Sequence, residues 1–314
     1  MDIDFSVSKI LLTGGAGFLG GHIHKKLLER GVPGENIHIP KVGECDLRAF
    51  ENCLIAVRSK DIVIHAAGVT GGGEFHAKNP GEIFYDNLIM GVHLMEAARL
   101  NGVKKFISIG SAAEYPANAP SPMKEEYLWQ GFPGELHASY AFAKLMLLTQ
   151  GQAYKAQYGF NAIHLIMANM YGPGDSLISR YVIPSLIEKI SKAQKENLPF
   201  IEVWGTGAAK RDFLYVEDAA EAIIRALQEY NKPEPVNMGS GTEVSVRELV
   251  DRICALMGFK GEIRWDSSRP EGQLRRLLDA SGAYKEFGFR AATSLEEGLI
   301  KTIAWHKQAN PIFQ

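Results

Sequence analysis

Short apolar runs alternate with segments of helical periodicity through the first half of the chain. The runs are short and mostly β-branched or aliphatic, as strands buried on both faces are. They read KILLTGG, ENIHIP, DIVIHAAG, KKFISIG and FNAIHLIMANMYG. The segments at 17–31, 85–100 and 139–159 instead repeat apolar residues at helical spacing. This alternation indicates an α/β fold built on a doubly wound parallel sheet.

The pattern changes after Tyr171, where helices and shorter strands alternate less regularly. We expect a helix to open at Pro184, a strand and turn over PFIEVWGTG, and further helices at 218–230 and 245–258. The sequence therefore predicts a smaller α/β lobe interleaved with the main sheet. The main domain is assigned residues 1–165 and 212–235, and the lobe residues 166–211 and 236–314.

The composition is that of an ordinary globular protein, and it argues against several functions. Of 314 residues 46% are hydrophobic and 22% charged, and the net charge of −2 gives no attraction to nucleic acid or anionic membranes. No apolar run approaches the ~20 residues that span a bilayer, and the N-terminus lacks signal-peptide features. The three cysteines show no CxxC spacing. We expect no metal site, no disulfide framework and a cytoplasmic location.

A glycine-rich turn joins the first predicted strand to the first predicted helix. It reads TGGAGFLG, with Gly14, Gly17 and Gly20 in the spacing G-x-x-G-x-x-G. Glycines let the backbone turn tightly and approach a pyrophosphate, and the free N–H groups of a helix N-terminus favour anions. In this strand–helix context the motif predicts a Rossmann-type dinucleotide site, with Phe18 and Leu19 as further contacts.

The residues after the second strand bear on which dinucleotide binds. An acid there would accept hydrogen bonds from the ribose hydroxyls and repel a 2′-phosphate. The stretch 37–42 has no acid and contains His38 and Lys41. We therefore favour NADP(H), with NAD(H) as the alternative. Asp46 and Leu47 lie where an adenine contact is expected.

Tyr140 and Lys144 form Y-x-x-x-K within a predicted helix, one turn apart on the same face. A phenol ordinarily titrates near pH ~10. A neighbouring ammonium stabilises the phenolate, so we expect Tyr140 to exchange a proton nearer neutral pH. Ser111 follows the strand KKFISIG and is placed to hydrogen-bond the same substrate oxygen.

Together these motifs resemble the extended short-chain dehydrogenases that act on nucleotide sugars. The resemblance runs nearly end to end, through TGGAGFLG, HAAG, YDN, GSAAEYP, YAFAK, NMYGPGD and RDFLYVED. It implies a catalytic set of Ser111, Tyr140 and Lys144 and hydride transfer at C4 of the sugar. The cofactor contacts that it implies are Ala66, Ala67, Gly68, Asn87, Tyr140 and Lys144.

Ala112 and Ala113, which follow Ser111, separate the reactions known in this family. Its dehydratases carry Asp-Glu just after the catalytic Ser or Thr, and methyl groups cannot replace that acid and base. Within the family the chain is most similar to the GDP-fucose synthases, which also epimerise C3 and C5. By that resemblance a cysteine and a histidine are expected where this chain has Ala113 and Tyr181. His137 and His164 are interpreted as an ordinary loop residue and a near-core residue.

The sequence thus favours a C4 reductase of a nucleotide-linked 4-keto sugar. The alternatives are an NAD-dependent nucleotide-sugar 4-epimerase, an epimerase/reductase with substituted acid and base residues, and a catalytically silent nucleotide-binding protein. The substrate is expected to be a nucleotide-diphosphate sugar of undetermined base. Its predicted contacts, implied mainly by the resemblance, are Asn169, Ser179, Arg180, Trp204, Arg211 and Arg276. We also expect a homodimer through the helices at 85–100 and 140–157, with Leu88, Leu94, Leu145 and Leu148 at the interface.

Overall fold

The computed structural model describes residues 3–41, 43–175, 181–268 and 273–309. Its strands are β1 (Ile10–Thr13), β2 (Ile37–His38), β3 (Ile62–His65), β4 (Lys105–Ser111), β5 (Ala162–Met167), β6 (Asn169–Tyr171), β7 (Phe200–Trp204), β8 (Lys210–Arg211), β9 (Phe213–Tyr215), β10 (Val236–Met238), β11 (Val244–Ser245), β12 (Glu262–Asp266) and β13 (Arg275–Arg276). Its α-helices are α1 (Phe18–Glu29), α2 (Phe50–Ala56), α3 (Gly73–Lys78), α4 (Pro80–Leu100), α5 (Ala138–Tyr158), α6 (Val182–Lys195), α7 (Val216–Glu229), α8 (Val246–Met257), α9 (Ser281–Phe287) and α10 (Leu295–Ala309). Among the described residues no helix is both long and apolar enough to cross a membrane.

The predicted doubly wound parallel sheet is confirmed. In the described part of the chain it has six parallel strands in the order β10-β5-β4-β3-β1-β2. The chain runs from β1 outward to β2 and then returns to the other side of β1 for β3. A crevice therefore opens at the carboxyl ends of β1 and β3, which is where ligands bind in sheets of this kind.

Alternate residues of each central strand face opposite sides of the sheet. In β1, Ile10 and Leu12 join the core cluster that contains residues of α1 and α7, whereas Leu11 joins the cluster that contains residues of α2 and α4. Both faces are covered by helices, so neither face of a strand can carry polar residues at low cost. This explains why the strand segments are mainly apolar, and why buried polar side chains within them, such as Ser108 and His164, are hydrogen-bonded to each other.

The segment FNAIHLIMANMYG, predicted as one strand, is divided at Ala168. The Ala168 N–H donates to the Met238 carbonyl, whereas the Asn169 N–H donates to the Asp212 carbonyl, at 2.9 and 3.2 Å. The chain therefore leaves the main sheet after β5 and pairs with β9 through β6. This change of partner carries Asn169 away from the sheet towards the second lobe.

The second lobe has its own apolar core, formed mainly by residues of α6, α8, α10 and β7. One predicted boundary is wrong. The sequence analysis assigns residues from 236 onward to the lobe, but the buried strand β10 pairs with β5 at the edge of the main sheet. Ala283 and Phe287 of α9 also join the main core, because α9 packs against β10 and α7. The other boundaries remain a prediction.

The leucines expected at a dimer interface are mostly inside the single chain. Leu94, Leu145 and Leu148 are 0%, 1% and 2% exposed, because α4 and α5 pack on each other and on the sheet. Leu88 alone of the four is only partly buried. Leu94, Leu145 and Leu148 therefore belong to the core of the single chain and are not surplus to it, contrary to the expectation.

Candidate functional site

The glycine turn lies between β1 and α1, where the backbone has no room for side chains. Gly14 has φ +71°, and a Cβ there would lie 2.6 Å from the Ala67 nitrogen. A Cβ at Gly20 would collide with the Gly14 carbonyl oxygen. Helix α1 begins after Gly17 with no acidic residue in its first turn, so its free N–H groups can receive an anion. The turn fits the pyrophosphate of a dinucleotide.

The segment after β3 forms the opposite wall of this crevice. A Cβ at Gly68 would lie 3.1 Å from Oδ1 of Asn87 and 3.6 Å from Nζ of Lys144. Asn87 in turn accepts the Val69 N–H at 3.0 Å and donates to the Val69 carbonyl at 2.8 Å. The expected contacts from both sides thus meet at the switch point of the sheet. Leu19 is buried in the core, so only its backbone can serve a cofactor.

The residues expected at the adenosine end follow β2. Lys41 is exposed, with its Nζ 3.6 Å from a carboxylate oxygen of Glu44. Asp46 accepts hydrogen bonds from Arg48, whose guanidinium also bonds Asp86 at 3.3 Å. Leu47 is buried, so its backbone alone could face an adenine. Arg48, which the sequence analysis missed, adds a cation beside Asp46.

Ser111, Tyr140 and Lys144 come from two elements that pack together. Ser111 ends β4, and α5 packs against β4 and the turn 112–114 that follows it. Tyr140 and Lys144 lie one turn apart on α5, and Nζ of the buried Lys144 is 5.7 Å from the centre of the Tyr140 ring. The same Nζ faces Gly68 and Asn87. The lysine therefore lies between the phenol and the dinucleotide crevice.

The protonation of this pair differs from the expectation. Burial raises the pKa of Tyr140, and Tyr181 and Glu114 raise it further. Burial lowers the pKa of Lys144 to about 8, against an opposing contribution from Glu114. Desolvation disfavours both charged forms, and it is the largest cause of both pKa shifts. Tyr140 thus remains a protonated phenol near neutral pH, as a proton donor must.

Two histidines that the sequence analysis set aside or missed lie beside Tyr140. His76 is 3% exposed, and its ring meets that of Tyr140 edge-on at 5.7 Å between centroids. The His137 ring lies 4.7 Å from His76, and burial, with smaller effects of His76 and Arg276, lowers the pKa of His137 to about 4. Thr70 links His76 to Tyr181 at 3.3 and 3.2 Å. No sequence motif marks this cluster, because it forms only when α3 packs against the turn 135–137 that precedes α5.

A further residue without a role in the sequence analysis is Glu114, which is fully buried. It accepts the Ser111 N–H through Oε1 at 2.7 Å, while Ser111 Oγ accepts the Ala113 N–H at 3.2 Å. This reciprocal pattern is a capping box, which S-x-x-E at 111–114 could have revealed. It fixes the geometry of the turn that carries Ser111.

Arg211 and Arg276, expected to bind substrate, lie side by side on β8 and β13. Arg276 donates to the Gln273 side-chain oxygen at 2.9 and 2.7 Å, and Arg211 donates to the Gln273 carbonyl at 2.7 Å. Among the described residues no carboxylate lies within ion-pair distance of Arg276. Burial, with a contribution from Arg211, lowers the pKa of Arg276 to about 10. Two adjacent cations of this kind favour a phosphate group.

The remaining expected substrate contacts are less concentrated. Asn169 donates to the Asp212 carbonyl at 3.0 Å and is half-buried. Trp204 ends β7 with 53% of its surface exposed, and Nζ of Lys189 is 5.9 Å from its ring. Ser179 and Arg180 lie outside the described residues.

Comparison with known proteins agrees with this geometry. Residues 10–239 match the NAD dependent epimerase/dehydratase family. A GDP-L-fucose synthase of Sinorhizobium fredii (strain NBRC 101917 / NGR234) is 40% identical over 242 residues, which are 76% of this chain and 77% of that protein. The structure of a GDP-6-OMe-4-keto-L-xylo-heptose reductase from C. jejuni matches with a TM-score of 0.91 at 26% identity, covering 99% of this chain and 100% of the other.

A second solved structure adds a bound cofactor to the comparison. The GDP-mannoheptose C4 reductase from Campylobacter jejuni, with NADP bound, matches with a TM-score of 0.87 at 27% identity, covering 97% of this chain and 99% of the other. Both matches extend over nearly the whole of this chain. The chain therefore belongs to the NAD dependent epimerase/dehydratase family, and it is a nicotinamide-dependent enzyme of the extended short-chain dehydrogenase type.

Proposed function

We propose that the protein is an NADPH-dependent reductase of the C4 ketone of a nucleotide-linked 4-keto-6-deoxy sugar, acting without epimerisation of C3 or C5. The observation that carries this proposal is the pair Ala112 and Ala113. Both are buried, at 5% and 6% exposure, beside Ser111. A methyl group can neither donate nor accept a proton, so Ala112 and Ala113 provide no acid or base for C3 or C5. Proton exchange with the C4 oxygen does not need these two residues.

The chain's own groups account for the proton transfer. Tyr140 donates its phenolic proton to the oxygen that develops negative charge at C4. Ser111 donates a hydrogen bond to the same oxygen, since its Oγ accepts from the Ala113 N–H and keeps its own hydrogen available. The ammonium of Lys144 stabilises the phenolate that Tyr140 leaves. The bound nicotinamide supplies the hydride.

NADPH is the favoured cofactor. No acid lies at residues 39–42, directly after β2, to occupy the ribose hydroxyls. Lys41 and Arg48 lie at that end of the crevice, where a 2′-phosphate could compete for them with the exposed carboxylates of Glu44 and Asp46. A similar reductase was solved with NADP bound, which supports the same choice.

Arg211 and Arg276 are proposed to bind the diphosphate of the substrate, with Asn169 and Trp204 as further contacts. Ser179 and Arg180 keep the same proposed role from their place in the sequence. The names of the similar proteins include GDP, so we propose a guanosine diphosphate sugar.

A second candidate is an epimerase/reductase in which other residues replace the cysteine and histidine. His76, His137 and Tyr181 favour it, because His76 contacts Tyr140, His137 contacts His76, and Tyr181 is linked to His76 through Thr70, so this connected cluster can exchange protons. A 4-epimerase that retains NAD through turnover is the third candidate. Its oxidative half needs Tyr140 as a phenolate, and the raised pKa of that phenol disfavours this form.

The deciding experiment is incubation with a panel of 4-keto and 4-hydroxy nucleotide sugars, with and without NADPH, followed by NMR of the products. Consumption of NADPH with formation of one 4-hydroxy product supports the reductase. Interconversion of 4-hydroxy epimers without added cofactor would identify a 4-epimerase. Cofactor binding without turnover of any sugar would indicate a binding protein and contradict the proposal.

A homodimer through helix α4 remains part of the proposal, but exposed aromatic residues of that helix, and not the buried leucines, are proposed to make the contact. Phe84 and Tyr85 of α4 are 39% and 60% exposed, and they lie beside the partly buried Leu88. Tyr85→Lys is expected to convert the dimer to monomer. Light scattering at micromolar concentration checks both states, and a monomeric wild type would contradict the proposal.

A further inference from the structure

A buried polar chain lies beneath the catalytic end of β4. Glu114, His164 and Ser108 are 0%, 2% and 1% exposed. Oε2 of Glu114 lies 2.9 Å from Nε2 of His164, whose Nδ1 lies 2.8 Å from the Ser108 hydroxyl. Together with the Ser111 N–H, both carboxylate oxygens of Glu114 have partners. Burying a carboxylate is costly unless it is fully hydrogen-bonded, and this arrangement meets that condition.

The backbone of β4 leaves space for this pair. A Cβ at Gly110 would collide with Nε2 of His164 and lie 2.5 Å from Oε1 of Glu114. A larger residue immediately before Ser111 would therefore displace His164 or Glu114. The carboxylate occupies the space of that missing side chain and holds the next residue's N–H, so the orientation of Ser111 depends directly on Glu114.

The charge of Glu114 reaches the catalytic pair as well. Four titratable side chains face it: His164 from β5, Tyr140 and Lys144 from α5, and the adjacent Tyr115. The carboxylate raises the pKa of Tyr140 and of Lys144. It therefore favours the protonated phenol and the ammonium together, which are the forms that reduce a ketone.

We propose that Glu114 is the positioning residue of this site: one oxygen fixes Ser111, His164 holds the other, and the buried carboxylate acts on Tyr140 and Lys144 of α5, which packs against the turn 112–114. The inference rests on the proposed reduction and adds a residue to it. Glu114 has two roles in it: its hydrogen bond holds Ser111, and its negative charge acts on Tyr140 and Lys144. Different substitutions of Glu114 remove each role.

Glu114→Gln removes the charge and keeps the size and an acceptor for the Ser111 N–H. The alkaline limb of kcat/KM against pH should then move down by about 0.5–1 pH unit, with kcat at low pH within a few-fold of wild type. Glu114→Asp keeps the charge but shortens the reach to Ser111. In Glu114→Asp the alkaline limb of kcat/KM should stay at the same pH as in the wild type. Its kcat should fall by about tenfold or more, with a smaller change in KM.

The matched control is Glu125→Gln. Glu125 also accepts a backbone N–H, from Asn237 at 2.9 Å, and it faces Tyr115. It does not contribute to the pKa of Tyr140 or Lys144. Its substitution should leave the limb where it is. An equal shift in this variant would show a general effect of removing buried carboxylates and would overturn the specific role.

A measurement without sugar keeps this test separate from the proposed function. The pH dependence of NADPH affinity, followed by cofactor fluorescence, should shift downward in Glu114→Gln because Lys144 borders the cofactor crevice. If the wild type binds NADPH but reduces no nucleotide sugar, the proposed function is contradicted. The pH dependence of NADPH affinity still tests the role of Glu114 in that case. The inference would be overturned if Glu114→Gln showed the same pH dependences as the wild type. It would also be overturned if the activity lost in Glu114→Gln and Glu114→Asp only followed the fall in their melting temperatures.

Discussion

Arg276 on β13 is the direct register partner of Arg211 on β8, and Gln273 holds both guanidinium groups. The Gln273 side chain also donates to the carbonyl oxygens of Pro116 and Ala117. The arginine pair is therefore tied to the loop that continues from the catalytic turn. A substrate whose diphosphate binds this arginine pair would therefore be held at a fixed distance from Ser111.

Arg276→Gln should raise KM for the nucleotide sugar by about 10- to 100-fold, the usual effect of losing a charge-assisted hydrogen bond. The affinity for NADPH should not change, because the arginines lie outside the dinucleotide crevice. Steady-state kinetics and cofactor titration measure the two effects. Arg275→Gln is the control, since Arg275 pairs instead with Glu243 at 2.9 Å and should tolerate the change.

Gly14→Ala should weaken NADPH binding well beyond the effect of Gly31→Ala. Both positions have positive φ, of +71° and +84°, so alanine costs about 1–2 kcal/mol of backbone strain at each. Only at position 14 does the added Cβ also meet backbone, whereas at Gly31 nothing lies within 4 Å. Comparing melting temperatures and NADPH affinities of the two variants isolates the clash. Equal effects would mean that the turn can adjust.

Tyr140→Phe should reduce turnover by about 100-fold or more, the usual contribution of a positioned proton donor. NADPH affinity should stay within a few-fold, because the ring remains. Lys144→Ala should damage both, since its ammonium faces Tyr140 and the Gly68–Asn87 side of the crevice. If Tyr140→Phe weakens cofactor binding as strongly as turnover, the tyrosine is structural.

The rate of ketone reduction should fall as pH rises through about 8, the pKa of Lys144. Below that value the lysine is an ammonium that can stabilise the phenolate, and above it the lysine is neutral. Burial raises the pKa of Tyr140, so the phenol stays protonated around pH 8. The fall in rate at alkaline pH therefore reports the deprotonation of Lys144. A kcat/KM profile from pH 6 to 10 checks this. A flat profile across pH 8 would contradict the assignment.

The strand pattern, the glycine turn and the Tyr140–Lys144 pair are predicted from the sequence because each is carried by residues close together along the chain, whereas Ser111 lies beside that pair only because α5 packs against β4. A strand-to-helix turn or an i, i+4 pair is local information. The environment of Tyr140 is not local: His76 and Tyr181 reach it from α3 and the start of α6, and burial reverses the expected direction of its pKa shift. The β10 boundary was wrong for a similar reason, since a three-residue strand is assigned by its partner β5 and not by its own pattern.

The last prediction concerns the carbons on either side of C4. Abstracting a proton beside a ketone needs a base within hydrogen-bond reach, and inversion needs a donor on the opposite face. The buried methyl of Ala113 supplies neither. With NADPH and a nucleotide-linked 4-keto-6-deoxy sugar in deuterium oxide, the 4-hydroxy product should carry no deuterium at C3 or C5 beyond an enzyme-free control.

Two sets of variants test which residues could remove a proton from C3 or C5. Ala113→Cys combined with Tyr181→His should begin to introduce deuterium at C3 or C5, because the pair restores a thiol and an imidazole to the positions where the GDP-fucose synthases are expected to carry them. Deuterium in the wild-type product would instead point to the cluster around Tyr140. His137, whose pKa of about 4 leaves it a neutral base at neutral pH, and Tyr181 would be the first candidates. His137→Gln and Tyr181→Phe, measured singly, would then show which of them removes the proton, since only the responsible residue's variant would lose the label while still reducing C4.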